Sequence, residues 1–433
     1  MFQTFKRLYE DPISVLLICV FFVAFLTYIP KNIESQSIFP YGIYLNLILM
    51  FIILFLSFLK NPKMNKEQLF ILYLFFILFI YSLSSSLWSF SVIKVAWRVL
   101  LVFVPIFSVG MALMSTNKVY STIIVFYRIH KIIGTVLSLY GLVVFFLGDI
   151  SWIPDGSYMI NSFHFIGFNL QQSVFPLGSL FRISSFTANP NILGYLLLIS
   201  ISSTFALFYI KKLKFMNFLV SILLQISALI LTFSRNNIIV TLLILLVSHI
   251  LLRGIDSVSK KVTRYLVTIL ILMIFLILFS IALFYPLNSS RISLDTNGRE
   301  EIWLTLIKVF QENWLFGIGF ASSGELVEKI GFSQAHNFHI ALITELGIIG
   351  YLLFVLIFLY ITIVLFKRII TINVTSYPIE LKVPLIFNFC IIICLVTLHQ
   401  FFEFQLLTNG YLNYIWAFLV FSAIRITSFL KTK

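Results

Sequence analysis

The stretch that decides the fold begins Thr296-Asn297-Gly298-Arg299-Glu300-Glu301-Ile302-Trp303. It passes through Trp314-Leu315-Phe316-Gly317-Ile318-Gly319-Phe320 and closes on Ala335-His336-Asn337, followed by an apolar run to Tyr360 interrupted by Glu345-Leu346-Gly347. Its first part holds too much charge for a bilayer, and its last part is an apolar run of the length that crosses one. Elsewhere no region of comparable length combines charge, glycine and histidine. A polar island that turns into a membrane helix is a loop tethered to a helix bundle.

Composition agrees. The 433 residues are 60% hydrophobic and 11% charged, with mean hydropathy +1.05, whereas soluble domains carry about 25% charged residues. Repeated apolar runs near the length of a membrane helix imply an all-α polytopic membrane protein forming a single membrane domain over residues 1–433. A net charge of +14 would suggest nucleic acid in a soluble chain. Here the basic residues collect in loops with no aromatic-interleaved stripe, so no nucleic-acid partner is expected. Cys19, Cys390 and Cys394 lie in apolar runs, where cysteine packs, and neither zinc spacing nor a disulfide framework is present. Lys6 and Arg7 precede an apolar run from Ile13 that ends at Tyr28-Ile29-Pro30-Lys31 without a small-residue cleavage site. The expectation is a retained first span.

About twelve spans can be drawn, near 13–30, 39–59, 68–88, 92–114, 119–147, 190–210, 216–233, 236–252, 265–285, 337–366, 383–402 and 411–428. With alternating orientation, 21 of the 30 Lys and Arg residues fall on one side. The positive-inside rule makes that side cytoplasmic, with both termini on it. Loops 148–189 and 286–336, and the hairpin Thr232-Phe233-Ser234-Arg235-Asn236, then face outward, where neither ATP nor nucleotide-sugar is available. No internal repeat of the transporter kind is visible.

Loop 148–189 ends in Ser185-Phe186-Thr187-Ala188-Asn189-Pro190-Asn191. Asn189 is placed to cap the next helix, with Pro190 at its first position. In loop 286–336, Asn297 and Glu300 have capping-box spacing. Ile302, Trp303, Leu306, Val309 and Phe310 then recur at helical spacing, predicting an amphipathic helix. Gly317 and Gly319 permit a tight turn, and Ser322 with Glu325 suggests a second short helix to Lys329.

Arg235, Arg299 and His336 fall on one membrane face by topology. Two guanidinium groups present charged, forked donors to the oxygens of a diphosphate. A histidine can take a proton from an attacking hydroxyl. The structural alternatives are that Arg235 snorkels to headgroups, that Arg299 pairs with Glu301 or Glu325, and that His336 caps a helix. Lys94 and Arg98 share a helical face at the outer end of the fourth span. Arg98 and Glu345 each need a partner within the membrane and are candidates for one another, and Arg182 joins them as a supporting residue. Glu403 is a further outward carboxylate. Walker, HExxH and Asp-x-Asp patterns are absent from the sequence, so no metal and no cofactor are expected.

Gly298–Trp303, Asn313–Phe320, Ala335-His336-Asn337 and Glu345-Leu346-Gly347 together resemble the signature region of the O-antigen ligase superfamily, which includes Wzy-type polysaccharide polymerases. Phe186–Asn191 and Leu231–Arg235 resemble its two upstream landmarks, so the likeness covers about 182–360. The proline usual after the Asn-Trp pair is replaced by Leu315. The resemblance implies a GT-C-like, metal-independent inverting glycosyltransferase in the bacterial inner membrane. Its donor would be an undecaprenyl-pyrophosphate-linked oligosaccharide, with Arg235 and Arg299 at the diphosphate and His336 activating the acceptor hydroxyl. The acceptor would be a glycan or glycolipid, with membrane lipids and a chain-length regulator as further partners. Frequent phenylalanine, and lysine outnumbering arginine, suggest an AT-rich genome and lean the expectation toward a polymerase. An O-antigen ligase acting on lipid A–core is the alternative within the family, and a polysaccharide flippase the alternative outside it.

Overall fold

The computed structural model describes residues 11–29, 39–152, 158–177, 180–253, 299–332, 334–374, 378–408 and 410–429. Its helices are α1 (Pro12–Tyr28), α2 (Gly42–Leu59), α3 (Lys66–Ser84, extended by a 3₁₀ turn Ser85–Trp88), α4 (Val92–Ser115), α5 (Val119–Leu147), α6 (Pro190–Tyr209), α7 (Phe215–Leu231) and α8 (Arg235–Arg253). After these come α9 (Arg299–Glu312), α10 (Ser323–Lys329), α11 (Phe338–Val374), α12 (Ile379–Thr397) and α13 (Tyr411–Phe429). Every expected span within the described residues coincides with a helix; the span at 265–285 and Asn297 lie outside them. Among the described residues, eight helices are long and apolar enough to cross a membrane, and α1 and α7 are shorter apolar helices. The protein is a multi-pass membrane protein.

Local chemistry sets the helix starts. Asn65 and Gln68 form a reciprocal capping box on α3, and Asn189 accepts from the backbone N–H of Asn191 and Ile192 ahead of Pro190. Ser322 makes no capping bond to α10; the N–H and hydroxyl of Ser323, the first residue of that helix, donate instead to the Glu345 carboxylate. The amphipathic helix α9 does not simply lie on the membrane surface. Ile302 and Leu306 are buried in a cluster with Val327, Ala335 and Ala341, so α9 packs across the start of α11.

Helices α6 and α13 form the centre and are buried almost throughout, while α2 exposes Ile48, Phe51, Phe55 and Phe58. With lipid as solvent, close packing and interhelical hydrogen bonds hold such a centre. Gly134 of α5 meets Ser200 of α6 so closely that a Cβ there would stand 2.0 Å from the hydroxyl oxygen. Tyr127 donates to Asn388 Oδ1 (2.6 Å), and Asn388 Nδ2 donates to Ser422 (2.9 Å), linking α5, α12 and α13. At one end of the bundle Lys60 pairs with Asp11 at 2.6 Å and Arg368 with Glu67 at 3.0 Å.

Loop 148–189 carries structure that was not expected from its sequence. It holds a four-stranded antiparallel sheet in the order β1 (Asp149–Trp152), β2 (Met159–Phe165), β3 (Phe168–Leu177), β4 (Leu180–Ile183).

The second departure is in α11. It is broken at Gly347 (φ 63°, ψ −172°), and the Trp314–Gly319 segment enters the break. Ile318 N–H donates to Thr344 O and Gly319 N–H to Glu345 O, while Ile348 N–H donates to Trp314 O and Ile349 N–H to Leu315 O. Tyr81 donates to the remaining carbonyl, Leu346 O, at 2.9 Å. A broken membrane helix strands backbone groups that lipid cannot satisfy; here the loop supplies their partners. Gly317 and Gly347 face each other directly, each occupying the space where the other's Cβ would be. Gly317 thus does more than turn the chain: its contact with Gly347 seats the segment in the break.

Candidate functional site

Arg235 opens α8, Arg299 opens α9 and His336 stands two residues before α11. Asn191 lies in the first turn of α6. These helix starts gather at one end of the bundle, where unpaired N–H groups and the positive ends of helix dipoles favour an anion. The contacts between their side chains define a network.

Arg182, from β4, is its hub. Its Nε donates to Thr232 O at 2.8 Å and one terminal nitrogen donates to Asn191 Oδ1 at 2.8 Å. Asn191 Nδ2 donates to Glu403 Oε1 at 2.8 Å. Arg299 donates to Phe402 O at 3.1 Å, and the charges of Arg299 and Arg182 both act on the Glu403 carboxylate. Arg235 and Arg299 in turn repel Arg182. Two guanidinium groups, Arg182 and Arg299, therefore face one carboxylate, and a third, Arg235, lies near enough to repel Arg182, leaving an excess of positive charge in a part-buried space.

The environment perturbs these groups. Glu403 is 5% exposed; burial pushes its carboxyl up to about 7, against the pull of Arg299, Arg182 and Asn191. Burial lowers Arg182 to about 10, opposed by Glu403 and reinforced by Arg299 and Arg235, so it stays charged at neutral pH. Burial and then the Arg299 charge depress His336 to about 4, leaving a neutral imidazole at pH 7.

His336 is held by its neighbours. Trp303 Nε1 donates to Ala335 O at 3.1 Å. The Asn337 side chain accepts from Ile340 N–H at 3.0 Å, so Asn337, not His336, caps α11. Phe338 N–H donates to Glu403 O at 3.1 Å. Between these anchors His336 takes the left-handed conformation (φ 51°), which is uncommon for a residue with a side chain and is kept only where surrounding structure imposes it. Its Nδ1 is buried without a hydrogen-bond partner among the described residues. An unpaired ring nitrogen on a neutral histidine beside Arg299 can accept a proton from a bound hydroxyl.

The other sequence candidates lie elsewhere. Glu345 accepts from the backbone N–H and hydroxyl of Ser323, and Arg98 is the cation acting on it. This pair anchors α10 to α11 and α4 and does not act on Glu403. Glu325, offered as a partner for Arg299, instead pairs with Lys94 at 2.7 Å. Glu403 and Asn191 are the functional candidates that sequence reading undervalued. A lone carboxylate in Phe-Phe-Glu-Phe gives no local signal, and Asn191 was masked by the capping role that Asn189 fulfils.

Residues 218–355 match the family model described as O-antigen ligase. The match spans Arg235, Arg299, His336 and Glu345 and supports the resemblance to the O-antigen ligase superfamily, whose members are glycosyltransferase-like ligases and polymerases. No curated protein matches the chain.

Proposed function

Proceeding from that family match, we propose that the chain is an inverting, metal-independent glycosyltransferase that polymerises surface polysaccharide repeats at the outer face of a bacterial plasma membrane. The donor is a glycan on undecaprenyl pyrophosphate. The observation that carries the reading is that Arg299, which acts on His336 with its unpartnered Nδ1, also belongs to the cluster of Arg182, Arg235 and Arg299.

In this reading Arg235 and Arg299 hold the diphosphate through charge-assisted, forked hydrogen bonds. The acceptor hydroxyl donates its proton to His336 as its oxygen attacks the anomeric carbon from the face opposite the diphosphate. The carbon–oxygen bond to the diphosphate breaks, the anomeric configuration inverts, and undecaprenyl pyrophosphate leaves with its charge stabilised by the arginines. Donor binding also neutralises Arg299, one of the two causes that depress His336, so the base strengthens when the donor is present. Arg182, Asn191 and Glu403 position these groups.

The family description favours a second reading, in which the acceptor is lipid A–core and the reaction is ligation. A deletion strain distinguishes the two. Single repeats on lipid A–core support polymerisation, and long chains retained on undecaprenyl pyrophosphate support ligation. Replacing His336 with Ala should reproduce the deletion phenotype with normal protein level in the membrane. A normal chain-length ladder from that variant would remove His336 from the chemistry. Purified protein that moves lipid-linked sugar across a proteoliposome bilayer without forming a glycosidic bond would replace both readings with a flippase.

A further inference from the structure

The β2–β3 hairpin ends in Phe163-His164-Phe165-Ile166-Gly167-Phe168, with Phe165 paired to Phe168 across a two-residue turn. Phe165 is 53%, Ile166 79% and Phe168 69% exposed. Ile166 and Gly167 both have positive φ (45° and 79°), the geometry of the tight hairpin turn that favours Asn-Gly. A β-branched residue at positive φ is a genuine outlier. The tip therefore keeps an apolar side chain where a small polar one would be less strained and better solvated.

The height of the tip explains that choice. Helix α5 has 29 residues, about 43 Å at 1.5 Å per residue, and overshoots a hydrocarbon core of about 30 Å. The sheet is stacked along its last three turns. Gly148 abuts Asn161 and Ser162, Asn161 Nδ2 donates to Phe145 O at 3.4 Å, Gln172 Nε2 donates to Gly141 O at 2.9 Å, and Ser185 donates to Leu137 O at 2.9 Å. Successive strands thus meet successively lower turns, so the strands cross the helix and their hairpin projects sideways. The tip extends beyond the β1 pairing, which ends at Asp149–Ser162. At that level α5 also exposes Leu139, Phe146 and Leu147, part of the lipid-facing surface of the bundle.

We propose that Phe165, Ile166 and Phe168 insert into the adjoining lipid leaflet, continuing the apolar face of α5 and anchoring the sheet that carries Arg182. From Phe165 to Phe168 the tip has no charged or titratable residue, the exposed His164 standing one pair back opposite Asn169, and aromatic side chains are enriched where a protein meets the membrane interface. The inference is independent of which glycan is transferred.

The test uses the full chain in nanodiscs. Ile166→Cys, in a background with Cys19, Cys390 and Cys394 replaced by Ser, carries a nitroxide, and its collisions with oxygen and with an aqueous nickel chelate are compared. Oxygen access several-fold above nickel access supports insertion. Dominant nickel access overturns it, and low access to both reagents, the mark of a second copy or a protein partner over the tip, also overturns it. A second measurement avoids the cysteine background: a benzoyl-phenylalanine at position 168 is irradiated in native membranes. Crosslinks to phospholipid support the proposal, and a discrete protein adduct refutes it.

Discussion

Replacing Gly347 with Ala tests whether the Trp314–Gly319 segment is a structural part of α11. A Cβ at Gly347 would stand 2.3 Å from Leu315 O and 2.6 Å from Gly317 N. Both are backbone atoms, so no side chain can swing aside. The backbone conformation at Gly347, with φ 63° and ψ −172°, lies in a region nearly restricted to glycine, which costs any other residue about 1–3 kcal/mol. Relieving the contact separates the four backbone hydrogen bonds of the break, each about 1 kcal/mol net. The expected loss is thus about 5–7 kcal/mol. The assay is thermal unfolding in nanodiscs. Gly347→Ala and Gly317→Ala should each lower the midpoint by many degrees, and the double variant should fall little further, because both disrupt one contact. Gly324→Ala, with nothing within 4 Å of the new Cβ, is the control and should be neutral. A wild-type midpoint for Gly347→Ala, or additive losses, would refute the reasoning.

Three further outcomes concern the site. Arg299→Lys keeps the charge and loses the planar fork; turnover should fall at least tenfold, as read by glycan transfer in membranes, and wild-type turnover would argue against contact with the diphosphate. Because His336 is depressed to about 4 by burial and by Arg299, it stays neutral as pH falls through 6.5 and protonates only near 4. Transfer should persist at pH 5.5, and a half-loss near 6.5 in a pH–rate profile would contradict that environment. Glu403, raised to about 7 by burial, is largely protonated at pH 6 and ionised at pH 8, where it competes for the arginines. Pyrophosphate binding should weaken about tenfold across that range if the ionised carboxylate excludes the anion. In Glu403→Gln it should weaken less, and equal slopes by calorimetry would deny the competition.

The helices were legible because each is an apolar run of bilayer length, and because Lys and Arg alternate in their loops. Asn189-Pro190 carried its capping signal in two adjacent residues. The sheet was less visible. Met159–Phe165 and Gln171–Phe175 are rich in β-branched and aromatic residues, a usable strand signal, but the turn between them is Ile-Gly rather than Asn-Gly. The break at Gly347 was hidden because hydropathy stays high across it, and its partner lies thirty residues upstream at Gly317. Arg235, Arg299 and His336 could be grouped by topology alone. The bridge from Arg182 through Asn191 to Glu403 could not, since Glu403 lies 212 residues beyond Asn191 and only packing brings it to them.

The Arg182–Asn191–Glu403 bridge bears on how far the site can be treated as a module. Residues 218–355 carry Arg235, Arg299 and His336, so a graft of that segment into another polytopic scaffold would transfer the proposed clamp and the proposed base. It would leave behind the carboxylate that Arg299 faces, the asparagine that reaches it, and the carbonyl to which Phe338 N–H is tied. Such chimeras are expected to insert in the membrane yet remain inactive until positions 182, 191 and 403 are supplied together, which makes the surrounding bundle a co-determinant of activity and exchange of whole chains the safer engineering route.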